Sequence, residues 1–224
     1  CIRDKIYFLY KKKGKKPSLC LSVNGGNMFG KKIKFEIWGF IFTAVLGTLL
    51  HFLYEWTGKM PAAALFSPVN ESVWEHLKLL FFPFVLFTLW ELLRTFPAPA
   101  CFLPARTLGL SAGLFSIPFL FYCYTSILGT NYLALDILVF LLSILIAFSV
   151  SGFIEKKAAR SAGESGLLCR ILLYLSIVVL LVLLALFLFF TFNPPHMPLF
   201  RDPVNGSYGA RACLLYTSPS PRDT

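Results

Sequence analysis

Charged residues are scarce in this 224-residue chain, in which Asp, Glu, Lys and Arg make up only 14% and hydrophobic residues 57%. A typical soluble domain carries about 25% charged residues. The shortage of charge argues against an ordinary soluble surface and favours a protein whose outer surface faces lipid. The 24 Phe residues agree with this interpretation.

Familiar catalytic motifs are also lacking. The chain contains no HExxH and no Walker-type phosphate loop. Its six Cys residues show no CxxC or other ligand spacing, and we expect no disulfide framework. Cys123 and Cys169 lie in or beside apolar runs, where we expect them to behave as small hydrophobic residues.

The two ends differ from the middle. Residues 210–224 resemble translated sequencing-adapter read-through, and residues 1–27 precede the first Met, so we expect both segments to be non-native tails and residues 28–209 to be the gene product. The formal net charge of +10 lies mostly in these tails, because residues 28–209 hold twelve Lys/Arg against nine Asp/Glu. The sequence therefore predicts no nucleic-acid partner.

Five long apolar runs predict the fold class, which is all-α: an integral membrane bundle of about five transmembrane helices. A bilayer core about 30 Å thick requires roughly 20 helical residues. The runs are continuous rather than alternating, which favours helices over a β-barrel. The expected spans are residues 36–56, 76–95, 106–125, 132–153 and 169–192.

The distribution of basic residues predicts the orientation of the bundle. Cytoplasmic ends of membrane helices carry an excess of Lys and Arg. Nine basic residues fall on one side and three on the other, which predicts a cytoplasmic-membrane protein with its N-terminus inside and its C-terminus outside. The first group is Lys31, Lys32, Lys34, Arg94, Arg106, Lys156, Lys157, Arg160 and Arg170; the second is Lys59, Lys78 and Arg201.

Gly109 and Gly113 form a GxxxG pattern in the third span. Small residues four positions apart allow two membrane helices to approach closely. A lone GxxxG is common in apolar segments, so both a packing role and a chance occurrence remain open.

Polar residues gather on the predicted outer side. All three His residues lie there, with the acids Glu55, Glu71, Glu75, Asp136 and Asp202. His and carboxylate side chains are the ligands that zinc uses in hydrolytic sites, and ionisable groups inside a span are functional candidates. The sequence leaves the cofactor open. One hypothesis is a divalent metal such as zinc, with His51, His76 and His196 as ligands and Glu55 or Glu75 as a general base.

Structural alternatives exist for several of these residues. Ser72 and Glu75 match a capping box that would begin the second span. His51 and Glu55 have i,i+4 spacing and could simply bond to each other, and His196 could be a loop residue.

The segment after the fifth span is rich in proline, so we expect it to cap the outer mouth of the bundle. Its sequence DPVNGS resembles SPVNES of the earlier outer loop, which indicates shared turn chemistry or two loops over one cavity. We predict that Arg201 lies near the acidic loop. The residues assigned to this cap, or to contact with a substrate, are Asn70, Glu71, Arg201 and Asp202.

The stretches FEIWGFIFTAVLGTLLHFLYEWTG, FSPVNESVWEHLKLLFFP and NPPHMPLFRDPVNGSYG together resemble an uncharacterised family of small bacterial multi-pass membrane proteins. The resemblance covers about residues 28–209 and is carried by the SPVNESVWEH signature. It implies a cytoplasmic-membrane protein of about five helices and implies no activity.

Two functions are compatible with the sequence. The first is a non-enzymatic binding or envelope-accessory component with a polar site at the outer face. The alternative is a metal-dependent membrane hydrolase acting on a lipid-linked substrate. The expected partners are the lipid bilayer and a further membrane protein or a second copy of the chain.

Overall fold

The computed structural model describes residues 25–94, 101–160, 166–204 and 206–209. Most of both predicted tails, residues 1–24 and 210–224, lies outside this range. The described chain forms six helices and a 3₁₀ turn at Pro198–Phe200. The helices are α1 (Gly25–Trp56), α2 (Pro61–Ala64), α3 (Val73–Arg94), α4 (Phe102–Leu128), α5 (Leu133–Arg160) and α6 (Gly166–Phe192).

Five of the helices are long and apolar enough to cross a bilayer, which confirms the all-α, five-span fold class. Their span-forming parts are Lys34–Trp56, Val73–Arg94, Phe102–Leu128, Leu133–Ala158 and Leu168–Phe192. Each contains 22 to 27 residues, or roughly 33–40 Å of helix at the usual rise. The described residues contain no β-strand.

The shared core lies between α3, α4, α5 and α6 and combines Phe with aliphatic side chains. Leu80 and Phe84 of α3, Ile144 of α5 and Phe187 of α6 are almost completely buried there. By contrast, many large apolar side chains on the outer surface of the bundle are exposed. That distribution is expected where the surrounding solvent is lipid rather than water.

The GxxxG pattern has a packing role, because α4 and α5 meet at both glycines. A Cβ on Gly109 would collide with Ser151 and would lie 2.9 Å from its backbone nitrogen. A Cβ on Gly113 would lie 2.8 Å from the Cβ of Ala147 and 2.9 Å from the carbonyl oxygen of Ser143. Only glycine fits at these two positions without moving the helices apart.

At the end of the bundle that the charge count assigns to the cytoplasm, Arg106 joins three helices. Its guanidinium forms two 3.0 Å hydrogen bonds to the carboxylate of Glu36 in α1 and a third, of 2.7 Å, to Glu91 in α3. The Arg106 side chain is only 2% exposed. From the sequence, Arg106 is only one positive charge in the basic group, whereas in the structure it is the buried centre of an ion cluster with two partly buried carboxylates.

Cys101 and Cys169 form a disulfide, so the expectation that the cysteines are unpaired is wrong for these two. Cys101 immediately precedes α4, and Cys169 lies in the first turn of α6, 68 residues further along the chain. The spacing of the cysteines gave no sign of the pair, because the pair arises from the packing of two helices that are distant in sequence. Cys123, in α4, is free and exposed.

Candidate functional site

The loop before α3 is anchored to the end of α1 by Ser67. The fully buried Ser67 hydroxyl donates a 2.5 Å hydrogen bond to the carbonyl of Leu50 and accepts one of 3.2 Å from the backbone N–H of Tyr54. Leu50 and Tyr54 are four residues apart, the spacing of partners in an α-helical hydrogen bond. Ser67 therefore fixes the loop to the last two turns of α1.

The start of α3 is capped by the residues of the SPVNES sequence. The Ser72 hydroxyl accepts a 3.4 Å bond from the N–H of Glu75, which is one half of a capping box. The Ser72 N–H donates to the side-chain oxygen of Asn70 at 3.1 Å, and the Glu75 carboxylate accepts from the N–H of Val69 at 3.1 Å. The capping alternative thus accounts for Asn70, Ser72 and part of Glu75.

Glu75 has a second partner in Lys78, one helical turn along α3. The ammonium group of Lys78 is 0% exposed and lies 2.7 Å from the Glu75 carboxylate. Its other two hydrogen bonds reach the carbonyl of Ala64 at 3.1 Å and the hydroxyl of Thr191 at 2.6 Å. All three ammonium hydrogens are therefore satisfied, and Lys78 links α2, α3 and α6.

Three of the predicted site residues come together beside this cap. One ligand atom from each of His51, Glu71 and His76 can be chosen so that all three lie within 4.8 Å of one another. The two imidazole rings are 5.3 Å apart between centroids, and Nε2 of His76 is 3.4 Å from the Glu71 carboxylate. The ligand atoms of a zinc ion with bonds of about 2.0–2.2 Å are about 3.5 Å from one another. Side-chain rotations that move the ligand atoms by roughly 1 Å would therefore complete the site.

The backbone helps to prepare His76 as a ligand. Its Nδ1 lies 2.9 Å from the carbonyl of Ser72, and a carbonyl can only accept a hydrogen bond. We therefore assign the proton of the neutral ring to Nδ1, which leaves the lone pair on Nε2, facing Glu71. Binding of the second ring nitrogen to a backbone carbonyl is the usual support for a metal-bound His.

The Glu71 carboxylate is suited to binding a cation. When the His76 ring is protonated on both nitrogens, its Nε2–H donates to the Glu71 carboxylate, and this hydrogen bond lowers the pKa of Glu71 below the usual value; the positive charges of protonated His76 and His51 act in the same direction, against partial burial. A metal ion would take the place of the Nε2 proton. Glu71 is therefore ionised at neutral pH, as a metal ligand must be. It is also exposed, which leaves one side of the site accessible.

The other predicted site residues do not join this group. Glu55 is exposed, and its carboxylate lies 3.8 Å from the ammonium of Lys59. The ring of His196 packs at 4.6 Å from that of Tyr208. Glu75 is occupied by Lys78 and the backbone, as described above.

The C-terminal segment packs onto the same end of the bundle. Phe200 is buried against the ring of Trp74 in α3, at 4.7 Å between centroids. Asp202 is buried and closes a turn, because its carboxylate accepts the N–H of Val204 at 2.8 Å. Arg201 is exposed beside Gly206, and the ion pairs of the described residues do not include one from Arg201 to Glu71 or Glu75.

Together, five bilayer-spanning helices and a polar cluster at one end define a multi-pass α-helical membrane protein. The chain belongs to the family described as "Family of unknown function (DUF6512)", which matches residues 27–210. No curated protein and no solved structure shows significant similarity to the chain.

Proposed function

We propose that this membrane protein binds a divalent metal ion, zinc above all, through His51, Glu71 and His76. The observation that supports the proposal is the convergence of two imidazoles and one carboxylate within 4.8 Å. Two His and one carboxylate are a common ligand set for zinc, and three protein ligands leave a fourth position open for water or substrate. The ligand set comes from α1, α3 and the loop between them, so its assembly depends on the folded bundle.

Zinc binding by the purified protein tests this proposal. After removal of metal with a chelator, we expect the wild-type protein in detergent to take up one zinc ion per chain. The double variant His51→Ala, His76→Ala is expected to lose stoichiometric binding, because a single carboxylate remains. His196→Ala is the matched control and should bind zinc as the wild type does. Equal, sub-stoichiometric zinc in the wild-type protein and the double variant would contradict the proposal.

We further propose the orientation and location that the charge count predicts: the cytoplasmic membrane, N-terminus inside and C-terminus outside. In that orientation the His51–Glu71–His76 site lies at the outer leaflet. His51 is five residues before the end of α1, and His76 is in the first turn of α3. The site is then less than about 10 Å from the helix ends, at the depth of the lipid headgroups.

The open metal position at headgroup depth favours a second candidate function, hydrolysis of a lipid-linked substrate. Zinc would polarise the scissile group and acidify a bound water. Of the two bases that the sequence suggested, Glu75 already has its charge paired with Lys78.

Zinc-loaded protein mixed with phosphatidylglycerol in detergent micelles tests this candidate. We expect a water-soluble product, measured by mass spectrometry, that disappears when the zinc is removed. The His51→Ala, His76→Ala variant should give no product. Product formation at the same rate by the stripped protein would exclude metal-dependent hydrolysis.

A further inference from the structure

Three helices meet at Gly47, one turn before His51. A Cβ on Gly47 would lie 2.6 Å from the carbonyl oxygen of Leu79 in α3 and 2.7 Å from the ring of Phe140 in α5. The backbone of α1 therefore touches α3 and the side chain of an α5 residue at this level. Gly47, Leu79 and Phe140 therefore lie at the same level along the bundle axis.

One turn further towards the same end, each of these helices carries an ionisable side chain. His51 is four residues after Gly47 in α1, while α3 and α5 run in the opposite direction. The direction from Gly47 to His51 therefore corresponds to the direction from Leu79 to His76 in α3 and from Phe140 to Asp136 in α5. Residues three or four apart share a helix face, so Asp136 is on the face of α5 that approaches the two His residues.

Asp136 is held in place by a neighbour on α4. The hydroxyl of Tyr124 donates a hydrogen bond to the Asp136 carboxylate. Tyr124 itself packs against the central hydrophobic core, which fixes its position. The Asp136 charge also acts electrostatically on the His76 ring, in agreement with the helix register.

We infer that Asp136 is a fourth member of the metal site, facing the open coordination position through a metal-bound water, and that Tyr124 is its positioning residue. The inference rests on the proposed zinc site. Carboxylates in this outer position strengthen metal binding because they add negative charge and accept a hydrogen bond from the bound water; their loss typically weakens affinity 10- to 100-fold. In this position the Asp136 carboxylate would also accept a proton from the bound water, a role for which neither Glu55 nor Glu75 is placed.

Zinc affinity tests the inference, measured by competition with a chromophoric chelator in detergent. Asp136→Asn keeps the shape of the side chain and removes its charge, and we expect zinc binding about tenfold weaker or more. Tyr124→Phe frees the carboxylate from its support and should weaken binding by a smaller factor. Asp136→Glu retains the carboxylate and should restore most of the affinity.

A matched control separates this role from a general effect of charge. Glu155→Gln removes one carboxylate from the other end of the same helix and should leave zinc affinity unchanged. The visible spectrum of the Co²⁺-substituted protein should change in Asp136→Asn and not in Glu155→Gln, since only the former alters the surroundings of the bound water.

The outcomes distinguish this inference from the proposed function. If the wild-type protein binds no zinc, both fail. If it binds zinc and Asp136→Asn binds equally well, or Glu155→Gln weakens binding as much, the metal site stands and the role of Asp136 is overturned. If Asp136→Asn does not fold, the Tyr124→Phe variant decides. Zinc affinity of this variant equal to that of the wild type would then overturn the inference.

Discussion

Replacing Lys78 by Met is expected to destabilise the folded protein by about 3–5 kcal/mol, the range found when one member of a buried ion pair is removed. Met keeps most of the length of Lys but leaves the Glu75 carboxylate charged, buried and without its cation. The hydroxyl of Thr191 and the carbonyl of Ala64 also lose their donor. Unfolding in increasing mole fractions of a denaturing detergent measures the change in free energy.

Two further variants make the Lys78 prediction specific. Lys78→Met combined with Glu75→Gln removes both charges and should recover a large part of the loss, because the remaining amide needs no counter-charge. Lys59→Met breaks the exposed pair with Glu55 and should change stability by less than about 1 kcal/mol. If the double variant is no more stable than Lys78→Met, the effect does not come from an unpaired Glu75.

Replacing Arg106 by Leu is expected to have a comparable effect at the opposite end of the bundle. The substitution leaves the carboxylates of Glu36 and Glu91 close together without the cation that both contact. Hydrogen bonds to charged groups contribute about 1.5–3 kcal/mol each, and the two like charges then repel. We expect a loss of about 3–5 kcal/mol, measured by the same detergent unfolding.

Arg106→Lys and Arg94→Leu are the informative comparisons. Lys retains the positive charge but cannot form the two parallel bonds that the guanidinium makes with Glu36, so Arg106→Lys should fall between the wild type and Arg106→Leu. Arg94, at the same end, is exposed and lies over the ring of Trp90 at 4.6 Å. A loss on Arg94→Leu as large as on Arg106→Leu would show that the ion cluster has no special importance.

The helices could be predicted from the sequence because the need to bury backbone groups in lipid leaves few alternatives to continuous apolar helices. The ends of the helices were predicted less accurately. The second span begins at Val73 rather than at His76, because Ser72 caps the helix through the N–H of Glu75. The S-x-x-E pattern of Ser72 and Glu75 is the sequence signal that marks this boundary.

The roles of Lys78 and Arg106 were missed for a different reason. Counting basic residues assumes that each lies in water at a helix end, and the count cannot recognise a charge whose partners come from another helix. Arg106 finds Glu36 70 residues earlier in the chain. The i,i+3 spacing of Glu75 and Lys78 was the one local signal that could have revealed a pair.

The candidate metal site was only partly predictable. His51 and His76 could be assigned to the same side of the membrane from the span pattern, but their proximity depends on how α1 and α3 pack at Gly47. The contribution of Asp136 depends on α5 reaching the same junction. Nothing in the local sequence around Asp136 or Tyr124 indicates that two helices bring them to the His residues.

The Cys101–Cys169 pair links membrane topology to redox chemistry. Disulfides persist in oxidising compartments, whereas the cytosol keeps cysteines as thiols. The Lys and Arg count predicts that this end of the bundle faces the cytosol, where the disulfide that the structure contains would be reduced to two neighbouring thiols, with Cα atoms 5.0 Å apart. The oxidation state of one cysteine pair in intact cells therefore reports which way the whole bundle is inserted, and with it which leaflet the His51–Glu71–His76 site faces.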